Sequence, residues 1–155
     1  MGRGGKILYS FGSLAAAASY QAFMMYITFF YVDVLKLPAA KFGLAWLVFF
    51  LWNTLNDPLF GQWSDRTRTR WGRRIPFIAL GAVPFALSLY FLWVPPYTAA
   101  QESRLFWYLL GSMFLFDTFF TLVVLNWTAL FPELYPGLQE RAEVSAWRQA
   151  LGVVG

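Results

Sequence analysis

The 155-residue chain has no cysteine and no histidine, and only 13% of its residues carry charge. Without cysteine there is no disulfide framework, no zinc-thiolate site and no thiol nucleophile. Without histidine the chain lacks the usual general base, the commonest metal ligand and the side chain that titrates near neutral pH. No P-loop, Gly-x-Ser-x-Gly elbow or metal-ligand spacing is present either, so no enzyme is expected. A soluble domain carries about 25% charged residues. This chain is instead 59% hydrophobic and 21% aromatic. Its net charge of +4 does not mark a nucleic-acid binder, because the arginine cluster sits between two long apolar runs.

Those runs set the architecture. Ile7 to Val32 and Ile75 to Gln101 contain no charge, Phe42 to Ser64 contains only Asp57, and Leu105 to Pro132 only Asp117. A helix needs about 20 mostly apolar residues to cross the roughly 30 Å hydrocarbon core. Backbone polar groups in lipid must be satisfied within the segment, and runs such as Leu47 to Leu51 do not alternate as barrel strands do. The expected fold is all-α, a polytopic transmembrane helix bundle. Its spans cover about 7–33, 40–65, 75–95 and 104–131, with a fifth segment at about 143–155. The first run is too long for a signal-peptide core and is read as a retained helix. The fifth segment, about a dozen residues, is too short to cross at 1.5 Å per residue. The chain therefore reads as the front piece of something longer, a single partial bundle over 1–155.

Basic residues sort by loop. Arg3, Lys6, Arg66, Arg68, Arg70, Arg73, Arg74 and Arg141 fall on one side, and Lys36, Lys41 and Arg104 on the other. The positive-inside rule places the N-terminus in the cytoplasm of a multi-pass protein of the cell membrane. Pro38, Pro95 and Pro96 punctuate the loops, and Pro132 and Pro136 are expected to follow the fourth span.

Ionisable groups inside a membrane are costly and mark function by default. Asn53, Asn56 and Asp57 share one helical face at i, i+3 and i+4, and Pro58 frees the carbonyl of Thr54. A carboxylate with neutral oxygens suits a small hard cation or a proton. The bland alternative is polar glue between helices. Asp117 and Thr121 lie one turn apart in the fourth span, with Arg148 the obvious internal partner for Asp117. After the second span, Asp65 is expected to meet loop arginines, Gly61 to allow close helix approach and Gly72 to make the turn before Arg73 and Arg74.

Gly61-x-x-x-Asp65-Arg66 followed by Gly72-Arg73-Arg74 resembles the loop signature of the major facilitator superfamily. Four further stretches narrow it: Asn56-Asp57-Pro58-Leu59-x-Gly61, Asp117-Thr118-x-x-Thr121, Ala129-Leu130-x-Pro132-Glu133-Leu134 and Trp147-Arg148. They resemble the glycoside–pentoside–hexuronide:cation symporters, the melibiose-permease-like family, over its N-terminal portion. The resemblance implies a twelve-helix secondary transporter of two six-helix bundles, of which the C-terminal bundle is missing here. It implies cation- or proton-coupled symport of a sugar or related small solute by alternating access. The cation or proton site falls on Asn53, Asn56, Asp57 and Thr121. The substrate candidates are Tyr20, Gln21, Asp117, Trp127 and Arg148, and the conformational-lock loop comprises Gly61, Asp65, Arg66, Gly72, Arg73 and Arg74. No cofactor is implied beyond Na+ or H+ as coupling ion, and no metal beyond Na+ at Asp57. The expected partners are the solute, the lipid bilayer and the second bundle. The family's acidic residue in the second span is here Asn53, and its sugar-binding carboxylates and tryptophan fall on Ala17, Val124 and Thr128. A transporter of a lipid or amphipathic solute without ion coupling, or a non-transporting membrane fragment, therefore stay open as alternatives.

Overall fold

The computed structural model describes residues 3–154, so the last residue of the expected fifth segment, Gly155, and the side chain of Arg3 lie outside the described residues. The described residues form helices joined by short loops: α1 Arg3–Thr28, α2 Ala39–Arg66, α3 Ile75–Trp93, α4 Glu102–Leu134 and α5 Leu138–Val154. A π-helical stretch, Phe29–Val34, extends α1, and a 3-10 turn, Ala99–Gln101, leads into α4.

Two boundaries differ from the sequence expectation. The fifth helix begins at Leu138, earlier than 143, because Gly137 opens it by accepting the Arg141 N–H at 3.0 Å. Glu140 then sits in its first turn, where a negative charge meets the positive helix end. Pro132 does not follow α4 but lies inside it. Its missing N–H forfeits one bond to the carbonyl of Thr128. One bond lost near a helix end does not stop the helix, and Tyr135 N–H still reaches the Phe131 carbonyl at 3.1 Å.

By length and composition, α3 (19 residues) and the stretch 99–134 (36 residues) are apolar enough to cross a membrane. At 26 and 28 residues, α1 and α2 are long enough too. They are more polar than α3 and α4, because Ser10, Ser13, Ser19 and Gln21 lie on α1, and Asn53, Asn56, Asp57 and Gln62 on α2.

Helix α4 is the hub. It packs on α3 along one side and α2 along the other, while α1 packs on α5. Leu105, Leu109, Met113 and Phe116 recur at helical spacing along its buried face. They meet Phe23, Ile27 and Tyr31 from α1 and its extension, Ala45 and Phe49 from α2, and Leu92 from α3. The buried Tyr31 hydroxyl donates to the Leu92 carbonyl at 2.9 Å, so this large side chain carries no unsatisfied polar atom into the core. Large apolar side chains such as Leu51, Leu80 and Trp107 lie on the outside instead. In water such a surface invites association, whereas in a bilayer it faces lipid or further helices.

Candidate functional site

The buried polar cluster lies between α2 and α4. Asn53 Nδ2 donates to Asp117 Oδ1 at 2.8 Å. Asn56 Nδ2 donates to Asp117 Oδ2 at 2.8 Å, to the Asp117 carbonyl at 3.1 Å and to Thr121 Oγ1 at 3.0 Å. The Thr121 hydroxyl in turn donates to Asp57 Oδ1 at 3.0 Å. The i, i+3 spacing of Asn53 and Asn56 on α2 matches the one-turn spacing of Asp117 and Thr121 on α4, which is why the two faces interlock. Asn56, Asp117 and Thr121 are buried, whereas Asp57 is exposed and lines an open cavity of about 360 Å³ beside Thr121, Val124 and Thr128. The site thus has a sealed carboxylate and a reachable one, joined by a hydroxyl and a carboxamide. Thr54 stays out of it, its hydroxyl donating to the Phe50 carbonyl at 2.9 Å.

This geometry corrects the expected partner of Asp117. It does not pair with Arg148; two carboxamides hold it within the cluster. Among the described residues, neither Asp57 nor Asp117 forms an ion pair with a Lys or Arg. Charge-assisted bonds from neutral amides meet the need instead, at about twice the strength of neutral ones.

Arg148 stands with Trp127. Its guanidinium lies 4.4 Å from the Trp127 ring centroid and 5.0 Å from that of Phe131, with Nε 3.4 Å from Ser13 Oγ. Tyr9 stacks on Trp127 at 5.1 Å and donates its hydroxyl to the Trp127 carbonyl at 2.6 Å. Two cavities adjoin this group. One, of about 260 Å³, is lined by Ser13, Ser145, Arg148 and Gln149. The other, of about 280 Å³, is apolar and includes Gly12, Ala15, Ala16, Ala82 and Trp127. Tyr20 stacks on Phe120 at 5.2 Å, one residue from Thr121. Gln21 is exposed and joins neither group; its side chain makes no hydrogen bond among the described residues.

At the end of the bundle near the arginine loop, Arg74 bridges two acids. It reaches Asp65 at 3.0 Å through one nitrogen and Glu133 at 3.0 Å through another, and Arg73 reaches the same Glu133 oxygen at 2.9 Å. The hydrogen bond from Arg74, with Arg73 beside it, holds the Glu133 carboxyl below the usual carboxylate range. Gly72 adopts φ +89°, a left-handed conformation that a side chain disfavours, and so makes the turn. Arg66 has no ion pair among the described residues. Gly61 faces Leu125, but a Cβ there would meet it only at 3.7 Å, an ordinary contact, so close approach is not what this glycine supplies.

Sequence reasoning missed three features. Glu133, 59 residues from Arg74, completes the loop network. Lys6, counted only as a topological charge, is 8% exposed and pairs with Glu143 at 2.7 Å and Glu140 at 3.7 Å, tying α1 to α5. Its ammonium is correspondingly pushed up, chiefly by the Glu143 hydrogen bond. Gly12, not Gly61, is the tightly packed glycine: a Cβ there would lie 2.5 Å from the Trp127 ring. These are long-range pairings, with no signature in either local stretch.

Long helices with apolar outer faces, packed around two carboxylates that have no Lys or Arg partner among the described residues, define a membrane-embedded helix bundle with a candidate functional site. Comparison with known proteins narrows this. Residues 8–155 match the family described as MFS/sugar transport protein. An uncharacterized symporter of Synechocystis is 34% identical over 97% of this chain and 28% of its own length. A putative glycoside/cation symporter of Escherichia coli is 32% identical over 97% of this chain and 32% of its length. The sphingosine-1-phosphate transporter of mouse is 32% identical over 97% and 30%. The chain belongs to the MFS/sugar transport family, in its melibiose-permease-like symporter branch, and is no enzyme. It spans about a third or less of the length of these relatives.

Proposed function

We infer that the protein carrying this chain is a secondary transporter, coupling entry of a cation or proton to movement of a sugar or related small polar solute by alternating access. Asp57, reachable from an open cavity, exchanges the ion; Asn53, Asn56 and Thr121 supply neutral partners. The observation that carries this reading is the Asn56–Thr121–Asp57 chain of bonds, a reachable carboxylate tied through a hydroxyl to a buried carboxamide between two helices. The relatives named as symporters support it. The protein resides in the cell membrane with its N-terminus in the cytoplasm, and the Asp65–Arg74–Glu133 network locks one conformation against the second bundle. The partners are the solute, the bilayer and that bundle, and no cofactor beyond Na+ or H+ takes part. A solute-uptake screen on the full-length protein in proteoliposomes, across pH and with or without Na+, tests it. Uptake stimulated by one of these ions supports the reading, and ion-independent facilitation overturns it.

A second reading is favoured by Arg148, which has no acidic partner among the described residues and borders the apolar cavity through Trp127. That pairing suits an amphipathic solute with an anionic head, and one relative is named as a sphingosine-1-phosphate transporter. Including amphipathic anions in the screen separates the two readings.

A further inference from the structure

We propose that Asp117 is the second anionic ligand of the ion site, and that the Asn56 amino group stands where the cation binds. The inference rests on the α2–α4 cluster being the ion site. Three oxygens converge on Asn56 Nδ2: Asp117 Oδ2 at 2.8 Å, the Asp117 carbonyl at 3.1 Å and Thr121 Oγ1 at 3.0 Å. An amino group has two hydrogens to give, so the acceptors outnumber the donors at this point. A surplus of oxygens around one buried position is the environment a hard cation takes.

The same carboxamide carries a second signal. Asn56 is fully buried, yet its Oδ1 finds no hydrogen-bond partner among the described residues. An unpartnered buried carbonyl costs about 1–3 kcal/mol. A half-turn of the carboxamide together with withdrawal of its head from the centre opens the position the amino group now holds. Oδ1 then lines that position as a ligand facing the oxygens of Asp117 and Thr121. Asp57 Oδ1, 3.0 Å from Thr121 Oγ1, adds a second carboxylate at the cavity edge. Asn53 fixes the far oxygen of Asp117, leaving Oδ2 for the ion. The set is five oxygens, short of the six to eight that Ca2+ takes. Five oxygens, two of them carboxylate, suit a small hard cation, and Na+ is the probe for the test.

Direct Na+ binding to the purified full-length protein tests this, by titration calorimetry and without any solute. Asp117→Asn should weaken Na+ binding about tenfold or more, since a full charge leaves a poorly hydrated site. The double variant Asn53→Asp/Asp117→Asn moves the carboxylate across a 2.8 Å hydrogen bond and should bring affinity back to within about threefold of wild type. Asp117→Asn with wild-type Na+ affinity, or a folded double variant that binds no Na+, overturns the proposal. So does a wild-type protein that binds no Na+, although proton coupling through Asp57 would then stand. If neither variant folds, Asp117 is a packing residue and the proposal falls. If Asp57→Asn loses ion-stimulated uptake while Asp117→Asn keeps full Na+ affinity, only this inference fails.

Discussion

Replacing Gly12 by alanine should strain the contact between α1 and α4, while the same change at Gly61 should not. A Cβ on Gly12 would lie 2.5 Å from Trp127 Cε2 and 2.7 Å from two further ring atoms. Carbon atoms in good contact sit about 3.5–4.0 Å apart, so roughly 1 Å of extra separation is required. The ring has little room to turn aside, because Tyr9 stacks on it at 5.1 Å and Arg148 lies 4.4 Å from its centroid. Overpacking of this kind costs about 1–3 kcal/mol. At Gly61 the nearest atom to an added Cβ is 3.7 Å away, so packing costs nothing there. Each substitution also gains about 0.8–1 kcal/mol of helix propensity. That gain cancels when the two variants are compared, leaving a difference of about 1–3 kcal/mol due to packing. The assay is thermal unfolding of the full-length protein in detergent, followed by tryptophan fluorescence. Gly12→Ala should unfold at a lower temperature than Gly61→Ala, and Trp127→Leu should remove most of the gap. Equal midpoints for Gly12→Ala and Gly61→Ala would refute the packing argument.

Three further outcomes are expected. On this cysteine-free background, Thr69→Cys should react with an impermeant maleimide only when the cytoplasmic face is exposed, and labelling from outside intact cells would reverse the topology. The Glu133 carboxyl is held below its ordinary value of 4.5, so its stabilising contribution is present above that value and is lost as pH falls through the lowered one. Glu133→Gln should therefore flatten the acid side of a pH–stability profile, and an unchanged profile would remove Glu133 from the network. Thr121→Val cuts the link between Asn56 and Asp57 and should raise the ion concentration for half-maximal uptake about tenfold, the worth of one hydrogen bond to a charged group. No change in that concentration would separate Thr121 from the ion.

The helices and the polar face of α2 were legible in the sequence because they depend on local facts. Apolar runs, bracketing charges and the spacing of Asn53, Asn56 and Asp57 all act within a few turns. Gly72 was equally readable, since a turn before paired arginines calls for a residue free to adopt positive φ. Pro132 misled because proline is a strong breaker in general, yet near a helix end it removes one bond only. The partner of Asp117 was not legible, because it depends on the rotation of α4 against α2, and no charge pattern encodes that. Arg148 was the electrostatic guess, but the carboxamides of Asn53 and Asn56 already satisfy the carboxylate, leaving Arg148 to the ring of Trp127. Lys6 and Glu143, 137 residues apart, meet only because α1 and α5 pack side by side.

Ion-stimulated uptake by the full-length protein carrying Asp57→Asn tests the central claim most directly. Asparagine keeps the size and the oxygen that Thr121 bonds, and removes only the charge and the exchangeable proton. The variant should insert in the membrane at wild-type levels and lose all stimulation by Na+ or by acid pH. Undiminished ion-stimulated uptake by Asp57→Asn would contradict the account and leave the α2–α4 cluster as packing between helices.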